Sequence, residues 1–264
     1  MDPFIQERRD IVRDIVREAG LLALDYFQRR HELVISLKGR QDWLTEADGA
    51  VETFLRQKIG QAFPNDQIVG EEQGGTGGDA MWIADPIDGT ANFARGDRQW
   101  CVSLGFARHG VPEIGFIFAP AQDEFYEAVR GAGATMNDQP IRVAPTHDIR
   151  HAVIELGWSP RRPTGDYLAL IGRTMEAGAT VKRSASGALG MAHVANSRTD
   201  GYGEVHINSW DVLAGLVIAR EAGALINDFC SGPWVTEGNP ILCVTPGIAK
   251  DLEKVFEPRV ELQT

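Results

Sequence analysis

The stretch that decides the fold is W-I-A-D-P-I-D-G-T-A-N-F, residues 82–93. An apolar run ends in two aspartates three positions apart, Asp85 and Asp88, with Pro86 between them and Gly89-Thr90 directly after. Because Pro86 disfavours a helix at the residue before it, the apolar run is predicted to be a strand. Gly89-Thr90 is predicted to begin a helix, whose unpaired N–H groups attract anions. Taken alone, Asp-Pro and Asp-Gly pairs are equally typical of ordinary turns.

Two further acidic clusters stand where predicted elements end or begin. Gly70-Glu71-Glu72 follows a short apolar strand, and Trp210-Asp211 opens a helix. In α/β proteins such positions face one crevice, where ligands bind. Carboxylates without neighbouring His or Cys side chains are typical ligands of a hard cation, and Mg²⁺ is the natural candidate. Each cluster alone also fits a solvated loop or a helix first turn, so the inference depends on their combination.

The hydrophobic periodicity predicts an α/β protein. Helices come first, a run of strands follows, and the two types then alternate, which is typical of an α/β arrangement with a largely antiparallel N-terminal sheet. The chain is expected to form a single domain over 1–264, with a soft boundary at 145–150. Helices are predicted at 3–30, 45–63, 167–177, 189–195, 210–222 and 249–256, and strands at 67–69, 81–84, 101–107, 114–119, 124–129, 141–143, 153–157 and 241–244.

The bulk composition restricts the partners. The formal net charge of −11 disfavours nucleic-acid binding, which depends on clustered Lys and Arg. No apolar run is long enough to span a bilayer, and the N-terminus lacks the pattern of a secretory signal. The three cysteines are expected to be buried free thiols, so a cytoplasmic location is predicted. The glycine-rich segment 74–78 lacks the Lys-Ser/Thr of a nucleotide P-loop and is interpreted as a flexible lid or surface turn.

The chain resembles the inositol monophosphatase family, whose members are Mg²⁺-dependent, lithium-sensitive phosphatases in a superfamily that also holds fructose-1,6-bisphosphatase. The resemblance covers essentially the whole chain from about residue 5. It implies a layered αβαβα sandwich that forms a homodimer. Four stretches carry it: K-G-R-Q-D-W-L-T-E-A-D at 38–48, G-E-E at 70–72, W-I-A-D-P-I-D-G-T-A-N-F at 82–93, and W-D-V-L-A-G-L-V-I-A-R-E-A-G-A at 210–224.

The resemblance also implies a role for each matching position, with a water molecule attacking the phosphorus in line and no covalent enzyme intermediate. Two or three Mg²⁺ ions, or Mn²⁺ as a substitute, would be held by Glu71, Asp85, the carbonyl of Ile87, Asp88 and Asp211. Asp48 and Thr90, together with Glu71, would orient and activate the water, supported by Asp42 and Thr45. Gly89 and Thr90 would bind the phosphate, and Ala188 and Glu204 the rest of the substrate.

Two departures from the family pattern bear on the substrate. Residues 183–190 read R-S-A-S-G-A-L-G, where the family more often has Arg-Ser-x-Gly-Ser/Thr-Ala-Ala. Arg95 and Arg98 are further departures, which either bind a second anionic group or lie on the rim. The expected substrate is myo-inositol monophosphate, with histidinol phosphate and 3′-phosphoadenosine 5′-phosphate as alternatives. A role of a different class, as a protein partner in a ribosomal RNA transcription complex, also stays open.

Overall fold

The computed structural model of the protein describes residues 2–33, 35–39, 42–256 and 260–263, and the side chains of 35–39, 42–44 and 263 lie outside that description. Its α-helices are α1 (Pro3–Gln28), α2 (Glu46–Ala62), α3 (Thr90–Arg95), α4 (Thr164–Glu176), α5 (Gly187–Ala195), α6 (Ser209–Glu221), α7 (Trp234–Glu237) and α8 (Ala249–Phe256). No helix in these ranges is both long enough and apolar enough to cross a bilayer.

The strands form two large sheets and one hairpin. They are β1 (Ile35–Gly39), β2 (Asp42–Thr45), β3 (Gln67–Gly70), β4 (Ala80–Asp88), β5 (Cys101–Arg108), β6 (Val111–Ala119), β7 (Glu124–Val129), β8 (Ala134–Met136), β9 (Gln139–Pro140), β10 (Val153–Leu156), β11 (Thr180–Lys182), β12 (Gly201–Ile207), β13 (Leu225–Asn227), β14 (Asn239–Val244) and β15 (Leu262–Gln263). One sheet has the order β3-β4-β5-β6-β7-β8-β9 and the other β11-β10-β12-β14-β13-β15, while β1 pairs with β2.

The elements stack in five layers. Helices α1 and α2 cover one face of the first sheet, and α5 and α6 lie between the two sheets. Helices α4 and α8 cover the outer face of the second sheet. Apart from the parallel β3–β4 pair, every neighbouring pair in the first sheet is antiparallel. Both the predicted αβαβα sandwich and the largely antiparallel N-terminal sheet are therefore confirmed.

The start of α1 follows from the sequence. Asp2 caps the helix by accepting the Phe4 N–H at 3.0 Å, and Pro3 occupies the first helical position, where its missing N–H costs nothing. Apolar side chains spaced by three and four, such as Val12, Val16 and Ala19, are fully buried against the first sheet. The helix forms where it was predicted and ends two residues earlier.

The central helix α6 lies almost directly on the first sheet. A Cβ atom on Gly115 of β6 would fall 2.3 Å from the carbonyl oxygen of Ala214. On Gly105 of β5, it would fall 2.9 Å from the Ala214 nitrogen. Only glycine permits such a close approach of two backbones. These two residues therefore fix the height of α6, and of its first-turn residue Asp211, above the sheet.

Several element predictions need correction. The strand predicted at 141–143 is wrong: the chain is irregular there, because the Ile141 N–H bonds back to Ala134 while the Val143 N–H turns away to the carbonyl of Ala222. Helix α6 begins at Ser209, one residue earlier than predicted, and Asn208 is its cap. Segment 74–78 is exposed and irregular, as expected of a surface turn. The cysteines are free thiols, with Cys101 and Cys243 buried and Cys230 half-buried.

Candidate metal and catalytic site

Asp85 and Asp88 lie at the end of β4, where the strand is irregular. The pairing with β5 shifts register between these two residues, and Pro86, which cannot donate a ladder hydrogen bond, lies within the shift. In a regular strand, residues three apart point to opposite faces of the sheet. A bulge re-aims side chains and lets both carboxylates face the same side. The strand is thus longer than predicted and includes both aspartates.

Asp211 reaches the same place from α6. Its Oδ2 accepts the Asn208 N–H at 3.1 Å, and this capping box fixes the first turn of the helix. Asp85, Asp88 and Asp211 each offer a carboxylate oxygen, and these atoms all lie within 4.8 Å of one another. Asp85 is 2% exposed and Asp88 6%. Asp211, which is far away in the sequence, is therefore brought beside Asp85 and Asp88 in a largely buried place.

Burial raises the pKa values of all three carboxylates, and neighbouring carboxylates raise those of Asp85 and Asp88 further. The pKa of Asp85 lies well above its ordinary value, first because of burial and then because of the charges of Glu71 and Asp88. Burial and the charge of Asp211 raise the pKa of Asp88 to about 7. Burial also raises the pKa of Asp211 to about 6. Such crowding of hard oxygen donors is costly without a cation and fits a divalent metal ion.

Asp88 is held by donors from the start of α5. Its Oδ2 accepts the Ser186 hydroxyl at 2.7 Å and the Ala188 N–H at 2.6 Å, while Oδ1 accepts the Gly187 N–H at 3.2 Å. Since the Ala188 N–H is engaged by Asp88 and its side chain is buried, the predicted substrate contact of Ala188 stays a prediction. Sequence reasoning missed Ser186, although a serine just before an apolar helix is a typical N-cap.

Asp48 and Thr90 form a hydrogen-bonded pair beside the carboxylates. The hydroxyl of Thr90 lies 3.1 Å from Asp48 Oδ1 and 3.0 Å from the carbonyl oxygen of Ile87. The other oxygen of Asp48 accepts the N–H of Thr45 at 2.8 Å and its hydroxyl at 2.7 Å, in the capping box of α2. Burial raises the pKa of Asp48. The side chain of Asp42, predicted to support this pair, lies outside the described part of the chain.

Gly89 links β4 to α3. Its φ of 98° is in the left-handed region, and a Cβ there would lie 2.7 Å from the carbonyl oxygen of Gln99. Helix α3 therefore starts at Thr90, as the sequence predicts, with the Gly89 cap facing the site. Glu71 follows β3, where its N–H bonds to the carbonyl of Ala84 at 3.2 Å, and it is half-buried.

A cavity of about 680 Å³ opens over these residues. Glu204 on β12 lines it, accepts the Tyr202 hydroxyl at 2.9 Å, and has its pKa raised to about 8, chiefly by burial. Arg95 also lines the cavity, whereas the guanidinium of Arg98 donates to the carbonyl of Ala121 away from the lining. The lining includes the predicted residues Glu71, Gly89, Thr90, Glu204 and Asp211.

Known proteins resemble this chain over nearly its whole length. A profile described as the Inositol monophosphatase family matches residues 5–259. The chain is 35% identical over 252 residues to an inositol-1-monophosphatase of Rhizobium meliloti, covering 94% of each chain. It is 34% identical over 248 residues to the Nus factor SuhB of Pasteurella multocida, covering 92% of each.

Solved structures agree with this assignment. An IMPase of Thermotoga maritima superposes with a TM-score of 0.83 at 30% identity, covering 94% of this chain and 96% of the other. The extragenic suppressor protein SuhB of Bartonella henselae superposes with a TM-score of 0.87 at 28% identity, covering 94% and 98%. The bulged Asp-Pro-Ile-Asp strand and the buried carboxylates lie within the residues that the family profile matches. The chain belongs to the inositol monophosphatase family.

Proposed function

We propose that the protein is a Mg²⁺-dependent phosphatase that hydrolyses a small phosphate monoester, with myo-inositol monophosphate as the preferred substrate. The observation that carries the proposal is the convergence of Asp85, Asp88 and Asp211 beside the Asp48–Thr90 pair. The relative named inositol-1-monophosphatase, which matches over 94% of each chain, supports this choice of substrate.

The donor set fits the metal that the family implies. Glu71, Asp85, the carbonyl of Ile87, Asp88 and Asp211 would hold two or three Mg²⁺ ions, and Mn²⁺ offers the same preference for oxygen ligands. When bound, Mg²⁺ lowers the pKa of water and offsets charge on the phosphate oxygens. The net charge of −11 makes such cations the natural way for this chain to bind an anionic substrate.

The chain's own groups bind the substrate and move the proton. The backbone at Gly89 and Thr90 receives the phosphate at the start of α3. The hydroxyl of Thr90 orients the attacking water, and Asp48 accepts the proton through Thr90. Because burial raises the pKa of Asp48, this carboxylate is a stronger base than an exposed aspartate. Glu204, with a pKa of about 8, hydrogen-bonds to a hydroxyl of the leaving alcohol.

A phosphate-release screen tests the proposal. Inositol 1-phosphate, histidinol phosphate, 3′-phosphoadenosine 5′-phosphate and fructose 1,6-bisphosphate are compared with Mg²⁺, with Mn²⁺ and with EDTA, and LiCl is added to the best reaction. We expect the highest kcat/KM with inositol 1-phosphate, loss of activity in EDTA and inhibition by lithium. If another of these substrates is preferred, the proposed leaving alcohol changes and the proposed mechanism stays the same. Activity undiminished by EDTA would overturn the metal site.

A second function is favoured by a separate observation. Several relatives at 31–34% identity are named Nus factor SuhB, so the chain is also a candidate protein partner in a ribosomal RNA transcription complex. The test is a pull-down from cell extract with wild-type protein and Asp88→Asn as parallel baits. Recovery of transcription factors by both baits would support a role independent of catalysis, and recovery by neither would remove it.

The assembly state is a further part of the proposal. The family implies a homodimer, and light scattering on the eluting protein is the direct measurement. We expect the mass of two chains at micromolar concentration. The mass of one chain would contradict it.

A further inference from the structure

Glu155 is a buried carboxylate that the proposed reaction does not use. It lies on β10 with 1% of its surface exposed, yet it lines the cavity. Its Oε1 accepts the Ser184 N–H at 2.9 Å and also the Ser184 hydroxyl. Its Oε2 lies 3.4 Å from Lys182 Nζ and 4.0 Å from His193 Nδ1. Burying a charge is costly unless it is paired, so this arrangement calls for a reason.

Ser184 is held from the opposite side as well. Its carbonyl oxygen accepts the side-chain amide of Asn92 at 2.7 Å. The same amide donates to the carbonyl of Gln99 at 2.7 Å, so Asn92, which lies on α3, joins the phosphate-binding segment to residue 184. Ser184 therefore lies between α3 and the second sheet, with its N–H, hydroxyl and carbonyl all engaged.

The next residue shows that the segment is constrained. Ala185 has a φ of 63°, in the left-handed region that costs an alanine roughly 1 kcal/mol or more. A non-glycine residue keeps such a conformation only when its surroundings impose it. On one side Glu155 and Asn92 fix Ser184, and on the other side Ser186 donates to Asp88 at 2.7 Å.

We propose that Glu155 is a positioning residue for the metal ligand Asp88, acting through the segment Ser184-Ala185-Ser186. By holding Ser184, it places the Ser186 hydroxyl and the N–H groups of Gly187 and Ala188 on the two oxygens of Asp88. Those three donors leave Asp88 a fixed orientation toward Asp85 and Asp211. Partners of this kind tune metal affinity, and their loss weakens binding by roughly 10- to 100-fold.

The proposal rests on the metal site at Asp88, so its test measures Mg²⁺ binding without substrate. Isothermal titration of Mg²⁺ into Glu155→Gln should give affinity at least about tenfold weaker than wild type. The glutamine keeps the size and one acceptor oxygen, but it loses the charge and sets its amide against Lys182. Ser184→Ala, which removes only the hydroxyl, should weaken binding by a smaller factor.

A matched control separates positioning from simple stability. Asp200 is another buried carboxylate serving the same strand: it accepts the Val153 N–H at 2.8 Å at the opposite end of β10 and has no hydrogen bond to segment 184–186. Asp200→Asn should lower the melting temperature and leave Mg²⁺ affinity unchanged. In phosphate-release assays, the two positioning variants should raise the Mg²⁺ concentration for half-maximal rate more than they lower kcat at saturating Mg²⁺.

The outcomes are distinguishable. Wild-type Mg²⁺ affinity in folded Glu155→Gln and Ser184→Ala would overturn the inference and leave the proposed function standing. Equal weakening in Asp200→Asn would reduce Glu155 to a structural role and also overturn it. If wild type itself binds no Mg²⁺, the proposed function fails with it. Should Glu155→Gln fail to fold, Ser184→Ala carries the same comparison.

Discussion

The hydroxyl of Thr90 lies within hydrogen-bond distance of one oxygen of Asp48, and the other oxygen of Asp48 accepts the N–H of Thr45 in the capping box of α2. One carboxylate thus serves both the proposed chemistry and the local fold. We expect Asp48→Asn to lower kcat by roughly 10²- to 10⁴-fold, since the asparagine cannot accept the proton. Steady-state phosphate release measures this.

Glu46→Gln, in the same helical turn but exposed, is the control and should retain full activity. A kcat for Asp48→Asn within about threefold of wild type would rule out the proton-accepting role.

Metal binding should stabilise the native chain measurably. Mg²⁺ relieves the repulsion among Asp85, Asp88 and Asp211 and binds only the folded site, so saturating Mg²⁺ should raise the melting temperature of wild type. Asp88→Asn should lose most of that shift and lower kcat by orders of magnitude. Differential scanning fluorimetry with Mg²⁺ or EDTA checks both proteins. An equal shift in the variant would show that the stabilising ion binds elsewhere.

The stability of the metal-free protein should depend on pH in an unusual direction. The pKa values of Asp211, Asp88 and Glu204 are raised to about 6, 7 and 8, above those of the same groups in an unfolded chain. The native state therefore holds more protons than the unfolded state between roughly pH 4 and pH 8. In EDTA, the free energy of unfolding should fall as pH rises through that window.

Urea unfolding at pH 5, 6, 7 and 8 measures this dependence. Added Mg²⁺ should reduce the fall, because the metal binds the deprotonated carboxylates and its affinity grows with pH. A free energy of unfolding in EDTA that rises steadily from pH 5 to pH 8 would contradict the raised pKa values.

Gly89 offers a test of the turn that starts α3. Gly89→Ala places a methyl group 2.7 Å from the Gln99 carbonyl at a φ of 98°, so we expect a loss of roughly 2 kcal/mol or more, with lower activity. Gly110→Ala is the matched control: its φ is 75° and nothing lies within 4 Å of the added Cβ, so it should cost only about 1 kcal/mol and leave activity unchanged. Chemical denaturation and phosphate release measure both. Similar effects at the two positions would argue against the close contact.

The sequence alone was enough to predict those elements that local patterns determine. Helix α1 follows from its cap and its buried stripe, and the strand before Asp85 follows from a short apolar run ended by proline. Strand β12 was missed because Gly-Tyr-Gly-Glu-Val-His-Ile lacks apolar alternation, and its pairing with β10 and β14 supplies what the pattern does not. Glu204 was therefore identified only through the family resemblance, without the strand that carries it.

The hydrogen bonds that support the candidate site could not be predicted from the sequence, for a different reason. Ser186 meets Asp88 across 98 positions, and Glu155 meets Ser184 across 29. No local periodicity encodes such contacts, since they arise only when α5 is packed between two complete sheets. A left-handed alanine at 185 is equally invisible, because its conformation is imposed from both sides.

Because they have no side chains, Gly105 and Gly115 set the distance between α6 and the first sheet, and so the position of Asp211 in the proposed metal site. A single methyl group at either position would push α6 off the sheet and carry Asp211 away from Asp85, while the helix and both sheets could still form. Substitutions at these glycines should consequently weaken Mg²⁺ binding before they destabilise the fold enough to unfold it. A screen for defective metal binding would then recover substitutions in strands that never contact the ion, and these two positions are where we expect them to cluster.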